Sequence, residues 1–314
     1  MSMIAFGPVP SRRLGRSLGI NNIPPKVCTY SCVYCQLGRT NRMRADRQDF
    51  FPTAEVFAAA RKRVEEAGEN GEGIDYLAFV PDGEPTLDAN LGSSIQALRP
   101  LGLPIAVVTN SSLLTLPRVR EELMEADWVS VKVDTVREPS WRAVDRPHGS
   151  LSLPAILEGI STFAEEFSGE LQTETMLLED FNEGEEDLRA TAEFLAGLHP
   201  AKANLSIPTR PPAETWVRAP GELVLSLAYG IFMERLPQVE ILSGYEGDTF
   251  ACTGDARRDL LSITAVHPMR ESAVRRTLKG AGAGWEVVTE LLDSGELVEL
   301  EYGGHRYFLR PINS

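Results

Sequence analysis

Three cysteines lie within eight residues, in Cys28-Thr29-Tyr30-Ser31-Cys32-Val33-Tyr34-Cys35. Spaced as Cys-x3-Cys-x2-Cys, their thiolates can hold three corners of a cubane iron–sulfur cluster, which normally takes four cysteines. The remaining iron then has no protein ligand, and an open position separates a catalytic metal site from a closed structural one. The spacing therefore implies chemistry at the cluster rather than electron storage alone. A zinc site would need a fourth ligand nearby, and none of the four histidines, His148, His199, His267 and His305, falls in this loop. Cys252 stands alone and reads as a small apolar filler.

Polar residues that could serve such a centre gather where apolar runs end. Tyr76-Leu77-Ala78-Phe79-Val80 runs into Pro81-Asp82-Gly83-Glu84-Pro85-Thr86. Gly83 permits close backbone approach to a ligand, Pro85 stiffens the turn, and Glu84 could meet an ammonium group. A second run ends at Thr109-Asn110-Ser111-Ser112. In a third, period-two alternation puts Ser130, Lys132 and Asp134 on one face, and in a fourth it groups Gln172, Glu174 and Met176. Asn110 and Lys132 read equally well as members of a satisfied buried network. Arg146 and His148, in Asp145-Arg146-Pro147-His148-Gly149, could line a pocket; the competing reading is a rigid surface turn.

These runs are strands in a repeated strand–helix pattern. Strands are predicted near 18–21 and over 74–80, 105–109, 128–134, 170–178 and 204–207. Helices are predicted over 54–67, 91–98, 118–126, 153–167, 183–198 and 222–235. Such alternation means a parallel sheet, and a closed barrel of this kind needs eight units. The fold class is α/β: a partial (β/α)6 TIM-type barrel, open on one side, with function at the C-terminal ends of its strands. Beyond about residue 250 the pattern changes. Helices over 257–263, 271–278 and 285–292, then strands over 297–302 and 306–310 joined at Gly303-Gly304, predict a small winged-helix domain. The division is 1–250 and 251–314.

The net charge of −14 is unevenly spread. Residues 1–50 carry a balance of +6, residues 51–254 of −19, and residues 255–314 of −1. Arg12, Arg13, Arg16 and Lys26 precede the cysteines, and Arg39, Arg42, Arg44 and Arg47 follow them. That cluster would draw an anionic substrate; the alternative is that it pairs with the acidic barrel. No apolar run is long enough to span a membrane, and Met1 to Pro10 lack the pattern of a signal peptide. Three close cysteines give no disulfide framework, so a reducing, cytoplasmic setting is expected.

The cysteine motif with an aromatic before its last member, the Gly83-Glu84-Pro85 turn and the acidic residue closing the fourth strand resemble the radical S-adenosylmethionine (radical SAM) superfamily over roughly residues 1–245. The resemblance implies that Cys28, Cys32 and Cys35 ligate a [4Fe–4S] cluster whose open iron binds the amino and carboxylate groups of SAM. It places Tyr34 at the adenine, Gly83, Glu84 and Pro85 at the methionine ammonium, and Asp134, with Ser130 as alternate, at the ribose. Asn110 and Lys132 would approach the methionine carboxylate. It further implies a flavodoxin- or ferredoxin-like one-electron reductant, reductive cleavage of SAM to a 5′-deoxyadenosyl radical, and hydrogen abstraction from a substrate.

The run from Phe6 to Gly19 is similar to a subgroup containing the wyosine-forming, tRNA-modifying enzymes. The second cluster of its best-studied members would need cysteines this chain lacks. Two substrate classes follow: tRNA or another nucleotide, with Arg12, Arg13 and Arg16 meeting phosphates, or a peptide or protein recruited by the winged helix. The winged helix also reads as a lid over the open barrel.

Overall fold

The structure, a computed structural model, describes residues 4–242, 254–266 and 268–311. Cys252 and the predicted boundary at residue 250 lie outside them. Two N-terminal strands, β1 (Ala5–Ser11) and β2 (Gly15–Ile20), pair antiparallel. A short parallel pair, β3 (Val27–Cys28) and β4 (Arg42–Met43), brackets the cysteine loop. There follow α1 (Thr53–Glu69), β5 (Tyr76–Phe79), α2 (Leu91–Leu98), β6 (Ile105–Thr109), α3 (Pro117–Leu123), β7 (Trp128–Lys132) and α4 (Glu138–Val144). The barrel ends with α5 (Leu153–Glu166), β8 (Glu170–Met176), α6 (Glu185–Gly197), β9 (Lys202–Ser206), α7 (Glu222–Met233) and β10 (Val239–Leu242).

The sheet order is β1-β2-β5-β6-β7-β8-β9-β10, parallel throughout from β2 onward. Six strand–helix units thus form the partial barrel, as expected, with β1 and β10 added at its two edges. Alternation sorts the strand side chains. Leu77, Phe79, Val107, Val129 and Val131 pack outward in the main core under the helices. Ala78, Ala106 and Trp128 face inward with Leu14. Ala78 and Ala106 leave the lumen room for polar groups further up the strands, while Trp128 and Leu14 fill its lower part.

The last part of the chain has α8 (Ala256–Val266), β11 (Met269–Arg270), α9 (Glu271–Gly280), α10 (Glu286–Asp293), β12 (Val298–Tyr302) and β13 (His305–Leu309). Its three strands run in the order β11-β13-β12. It has its own core around Leu260, Val274, Leu291 and Phe308, and Val9 of β1 packs against that core. The Tyr302 and Tyr307 hydroxyls donate to the carbonyls of Pro208 (3.2 Å) and Thr209 (2.9 Å), just after β9. The unit therefore lies along one edge of the open barrel. No helix among the described residues is long and apolar enough to cross a membrane.

Candidate functional site

The cysteine loop is held from two sides. On one, it runs along residues 144–148: the N–H of Ser31 donates to the Asp145 carbonyl (3.0 Å), that of Val33 to Val144 (2.9 Å), and that of His148 to Thr29 (2.8 Å). On the other, the N–H of Glu84 donates to the Val27 carbonyl (3.1 Å) and that of Lys26 to Asp82 (2.8 Å). A Cβ at Gly83 would stand 1.9 Å from the Val27 oxygen. The glycine is therefore required for the turn to pack against the chain entering the cysteine loop, and it also lines the cavity described below.

Glu84 is likewise fixed by groups of the chain itself. Its Oε1 accepts hydrogen bonds from the Thr86 N–H (3.1 Å), the Thr86 hydroxyl (2.6 Å) and the Thr109 hydroxyl (2.6 Å), and its Oε2 from the Asn110 N–H (2.7 Å). The side chain is 1% exposed. Burial pushes its carboxyl up while these donors pull it back. Most of the acceptor capacity of Glu84 is spent on tying the ends of β5 and β6 together.

A cavity of about 410 Å³ opens at the C-terminal ends of the strands, within the usual size range for small-ligand sites. Cys28, Cys32 and Cys35 all line it and are partly exposed. Asn110 Nδ2 lies 3.5 Å from Cys28 Sγ, Lys26 Nζ 3.9 Å from Cys35 Sγ, and Cys32 Sγ donates to Asp145 Oδ1 at 3.3 Å. Burial, and next the charge of Glu84, push the Cys28 thiol up to about 12; Cys32 is raised by burial and Asp145. Such thiols ionise when a cation is placed beside them, as iron does. Among the described residues no three His, Cys, Asp or Glu side chains converge on one point that a single ion could fill. Three cysteine sulfurs facing one cavity are the kind of donor set that a cubane cluster takes.

Above the cysteines, the inward faces of β7, β8 and β9 build a charged network. Lys132 pairs with Glu174 (3.2 Å), Arg13 pairs with Glu174 (2.8 Å), and Ser206 donates to Glu174 (3.0 Å). Burial raises the Glu174 carboxyl, but Lys132 and Arg13 overcome it and hold it near 2. The Lys132 ammonium also sits 4.9 Å from the Tyr34 ring centre. The Tyr34 hydroxyl donates to Asp134, whose other oxygen accepts the Met176 N–H at 2.8 Å. Asp134 and Asp145 are both buried and both face the Tyr34 hydroxyl; burial, then the charge of Asp134, raise Asp145 well above the usual carboxylate range.

The cavity thus brings together the three cysteines, Tyr34, Gly83, Glu84, Asn110 and Lys132. Arg12 and Arg13 also reach it. Pro85, Ser130 and Asp134 lie off its lining. Pro85 starts a short helical turn, Ser130 accepts from Arg13 (2.9 Å), and Asp134 is engaged by Tyr34. Arg16 is at the opposite end of the barrel, where its N–H bonds Asp75 (2.7 Å) and its guanidinium faces Glu72 (3.8 Å). Arg146 pairs with Glu214, and the half-buried His148 ring bonds the Ser150 hydroxyl (2.8 Å). Their segment is more than a surface turn, since its backbone braces the cysteines. Sequence reasoning named Lys26 only within the basic cluster and gave no role to Asp82, Asp145 or Ser206. Of these Asp82 and Ser206, polar residues at strand ends, carried a readable signal.

The profile of the radical SAM superfamily matches residues 22–195. A UPF0026 protein of Methanocaldococcus jannaschii is 43% identical over 313 residues, covering 99% of this chain and 97% of that one. Among solved structures, a radical SAM methyltransferase from Sphaerobacter thermophilus superposes with a TM-score of 0.56 at 15% identity, covering 72% of this chain and 66% of the other. TYW1 with a lysine–pyruvate adduct bound superposes at 0.54 and 17% identity, covering 70% and 74%. At these identities the structural likeness is one of fold.

Proposed function

The chain belongs to the radical SAM superfamily and to its UPF0026 proteins, and from that premise we propose that Cys28, Cys32 and Cys35 hold the [4Fe–4S] cluster and that the cavity beside them receives SAM. The cluster and SAM, when bound, supply one-electron reductive cleavage of a carbon–sulfur bond and a radical able to abstract hydrogen. The single observation that carries the residue assignment is that all three cysteines face one cavity together with Gly83, Asn110 and Lys132.

The chain's own groups orient and shield. Asn110 fixes the Cys28 side of the loop through Cys28 Sγ and the Thr29 hydroxyl (2.7 Å). Lys132, Glu174 and Ser206 offer a hydrogen-bonding wall on the lumen side, fixed by mutual pairing before any ligand arrives. Pro208 and Thr209 form the rim on the side of the C-terminal unit, where the Tyr302 and Tyr307 hydroxyls hold them.

Two substrate readings each have an observation behind them. For a tRNA or other nucleotide, support comes from the arginines after the cysteines: Arg42 is exposed, Arg44 is half-buried, and Arg39, paired with Glu214, is 71% exposed. The arginines before the cysteines lend little, because Arg13 is committed to Glu174 and Arg16 lies at the far end. For a peptide, support comes from the C-terminal unit, in our reading a winged-helix module, which bonds the rim beside β9. The electron would come from a flavodoxin- or ferredoxin-like donor.

Anaerobic reconstitution tests the core of this. The wild type should bind iron and sulfide and release 5′-deoxyadenosine from SAM under reductant, and Cys32→Ala should do neither. A Cys32→Ala protein with full activity would overturn the assignment. Substituting Arg39, Arg42 and Arg44 together with alanine should abolish co-purification of RNA if the nucleotide reading holds; retention of RNA would favour another surface.

A further inference from the structure

One stretch of this acidic chain is basic, and it backs onto the cysteines. Residues 39–47 carry Arg39, Arg42, Arg44 and Arg47 against one acid, Asp46, whereas the chain as a whole has a net charge of −14. Arg47 is spent inside the fold, donating to the Thr86 carbonyl (2.8 Å) and pairing with Glu122. Arg44 donates to the Asp46 carbonyl (3.0 Å), and Arg39 to Glu214 (2.9 Å). Arg42 is exposed, and among the described residues no hydrogen bond or ion pair engages its guanidinium. Met43 beside it is 37% exposed. β4 pairs in register with β3, Arg42 against Val27 and Met43 against Cys28, and the Arg44 N–H donates to the Cys28 carbonyl (3.0 Å). The exposed strand is therefore one strand spacing, about 4.8 Å, from the backbone of a cysteine. Cys28 and Cys35 line the cavity, whereas Arg39, Asn41, Arg42 and Met43 do not. These four form the solvent side of the same wall.

We infer that this strip, centred on Arg42 and Met43, is the docking surface for an acidic one-electron carrier protein. The inference rests on the reading of Cys28, Cys32 and Cys35 as the cluster ligands. A substrate has to reach into the cavity to meet a radical, so its contacts belong at the mouth. An electron needs only a partner close to the wall, and the strip brings one within a strand of Cys28. The acidic remainder of the chain, −19 over residues 51–254, repels an acidic carrier, and the strip attracts it; the two together set where it lands. Electron-transfer encounters are small, below about 1,200 Å² of buried surface, and a few charges around one apolar side chain suit that size. A nucleic acid would have to follow a longer basic track than these residues offer. The step itself moves one electron: the carrier's reduced flavin anion is oxidised by one electron and the cluster is reduced by one, with no bond formed or broken and no proton required.

The test uses full-length protein reconstituted anaerobically, with iron and sulfide measured first, and an acidic flavodoxin as the carrier. Two quantities are measured on the wild type, Arg42→Glu and Arg42→Lys. One is equilibrium binding of oxidised flavodoxin. The other is the rate of cluster reduction by fully reduced flavodoxin, divided by the rate with photoreduced deazariboflavin, a small uncharged donor. At low ionic strength Arg42→Glu should bind flavodoxin about tenfold more weakly, and its relative rate should fall about as much. Arg42→Lys keeps the charge and should stay near wild type. Raising the salt to about 0.5 M should erase most of the difference, because exposed charges are then screened. Equal binding and equal relative rates in all three proteins would overturn the inference. So would an Arg42→Glu protein that loses co-purifying RNA yet takes electrons from flavodoxin as the wild type does, which would give the strip to a nucleotide substrate. Should Arg42→Glu load no cluster, Arg42→Gln carries the same comparison with a smaller fall. A wild type that takes up no iron and sulfide would instead sink the underlying reading.

Discussion

At the scale of single residues, the site is defined by what its neighbours cannot do. Lys26 is 3% exposed, adopts a left-handed φ of 62°, donates to the Gly38 carbonyl and lies 3.9 Å from Cys35 Sγ. A non-glycine residue in that conformation costs about 1 kcal/mol or more, which surrounding contacts must offset. A cation held at that distance favours the reduced, more negative cluster. Lys26→Met should lower the cluster's midpoint potential, by roughly 100 mV for one unit charge a few ångströms away in a partly buried site. Lys26→Arg should restore most of it, and equal potentials in all three proteins would remove the electrostatic role. Gly83 makes a different kind of demand. Gly83→Ala must push the Val27 carbonyl aside, so the melting temperature should fall with a loss of roughly 1–3 kcal/mol, and cluster content should fall with it. An alanine variant as stable and as iron-rich as wild type would show that the turn has slack.

At the scale of elements, the six repeated units were legible because each strand is a β-branched or aliphatic run followed by an amphipathic helix. The additions were not. β1 holds Pro8 and Pro10, which argue against a central strand; it is tolerated because it is an edge. β10 has only four residues, and α4 only seven, starting with Glu138-Pro139. The three cysteines and the inward face of β7 were legible from spacing and alternation. The bracing of the cysteine loop by residues 144–148 was not, because backbone hydrogen bonds between distant loops leave no pattern in side chains. Nor could sequence show that Arg13 folds back into the lumen to pair with Glu174. Glu174, held down first by Lys132 and then by Arg13, has a pH signature. The folded carboxyl lies near 2 against an ordinary 4.5, so its contribution is present above pH 4.5 and lost as pH falls toward 2. The shift corresponds to roughly 3 kcal/mol at most. Arg13→Leu should therefore flatten the acid limb of the stability curve between about pH 5 and 2; an unchanged limb would assign the acid loss to other carboxylates.

At the scale of the whole molecule, an open barrel leaves an edge to be covered. The C-terminal unit lies along it through Val9 and through two tyrosine hydroxyls, which bond the carbonyls of Pro208 and Thr209 on the cavity rim. Tyr307 is fully buried and its hydroxyl also accepts from Arg270 Nε (2.8 Å), so it links the unit's interior to the rim. Each hydroxyl contributes about 1 kcal/mol net. Local opening of the rim should therefore become about fivefold more frequent for each tyrosine replaced by phenylalanine. Hydrogen exchange at the amides of Thr209 and Arg210 reads this directly. In the double variant, exchange there should rise about 25-fold if the two contributions add, while exchange in β5 to β8 and the iron content stay at wild-type values. Rim exchange that does not change would mean that the barrel alone orders this loop, and that the C-terminal unit rests on the edge without controlling access to the cavity.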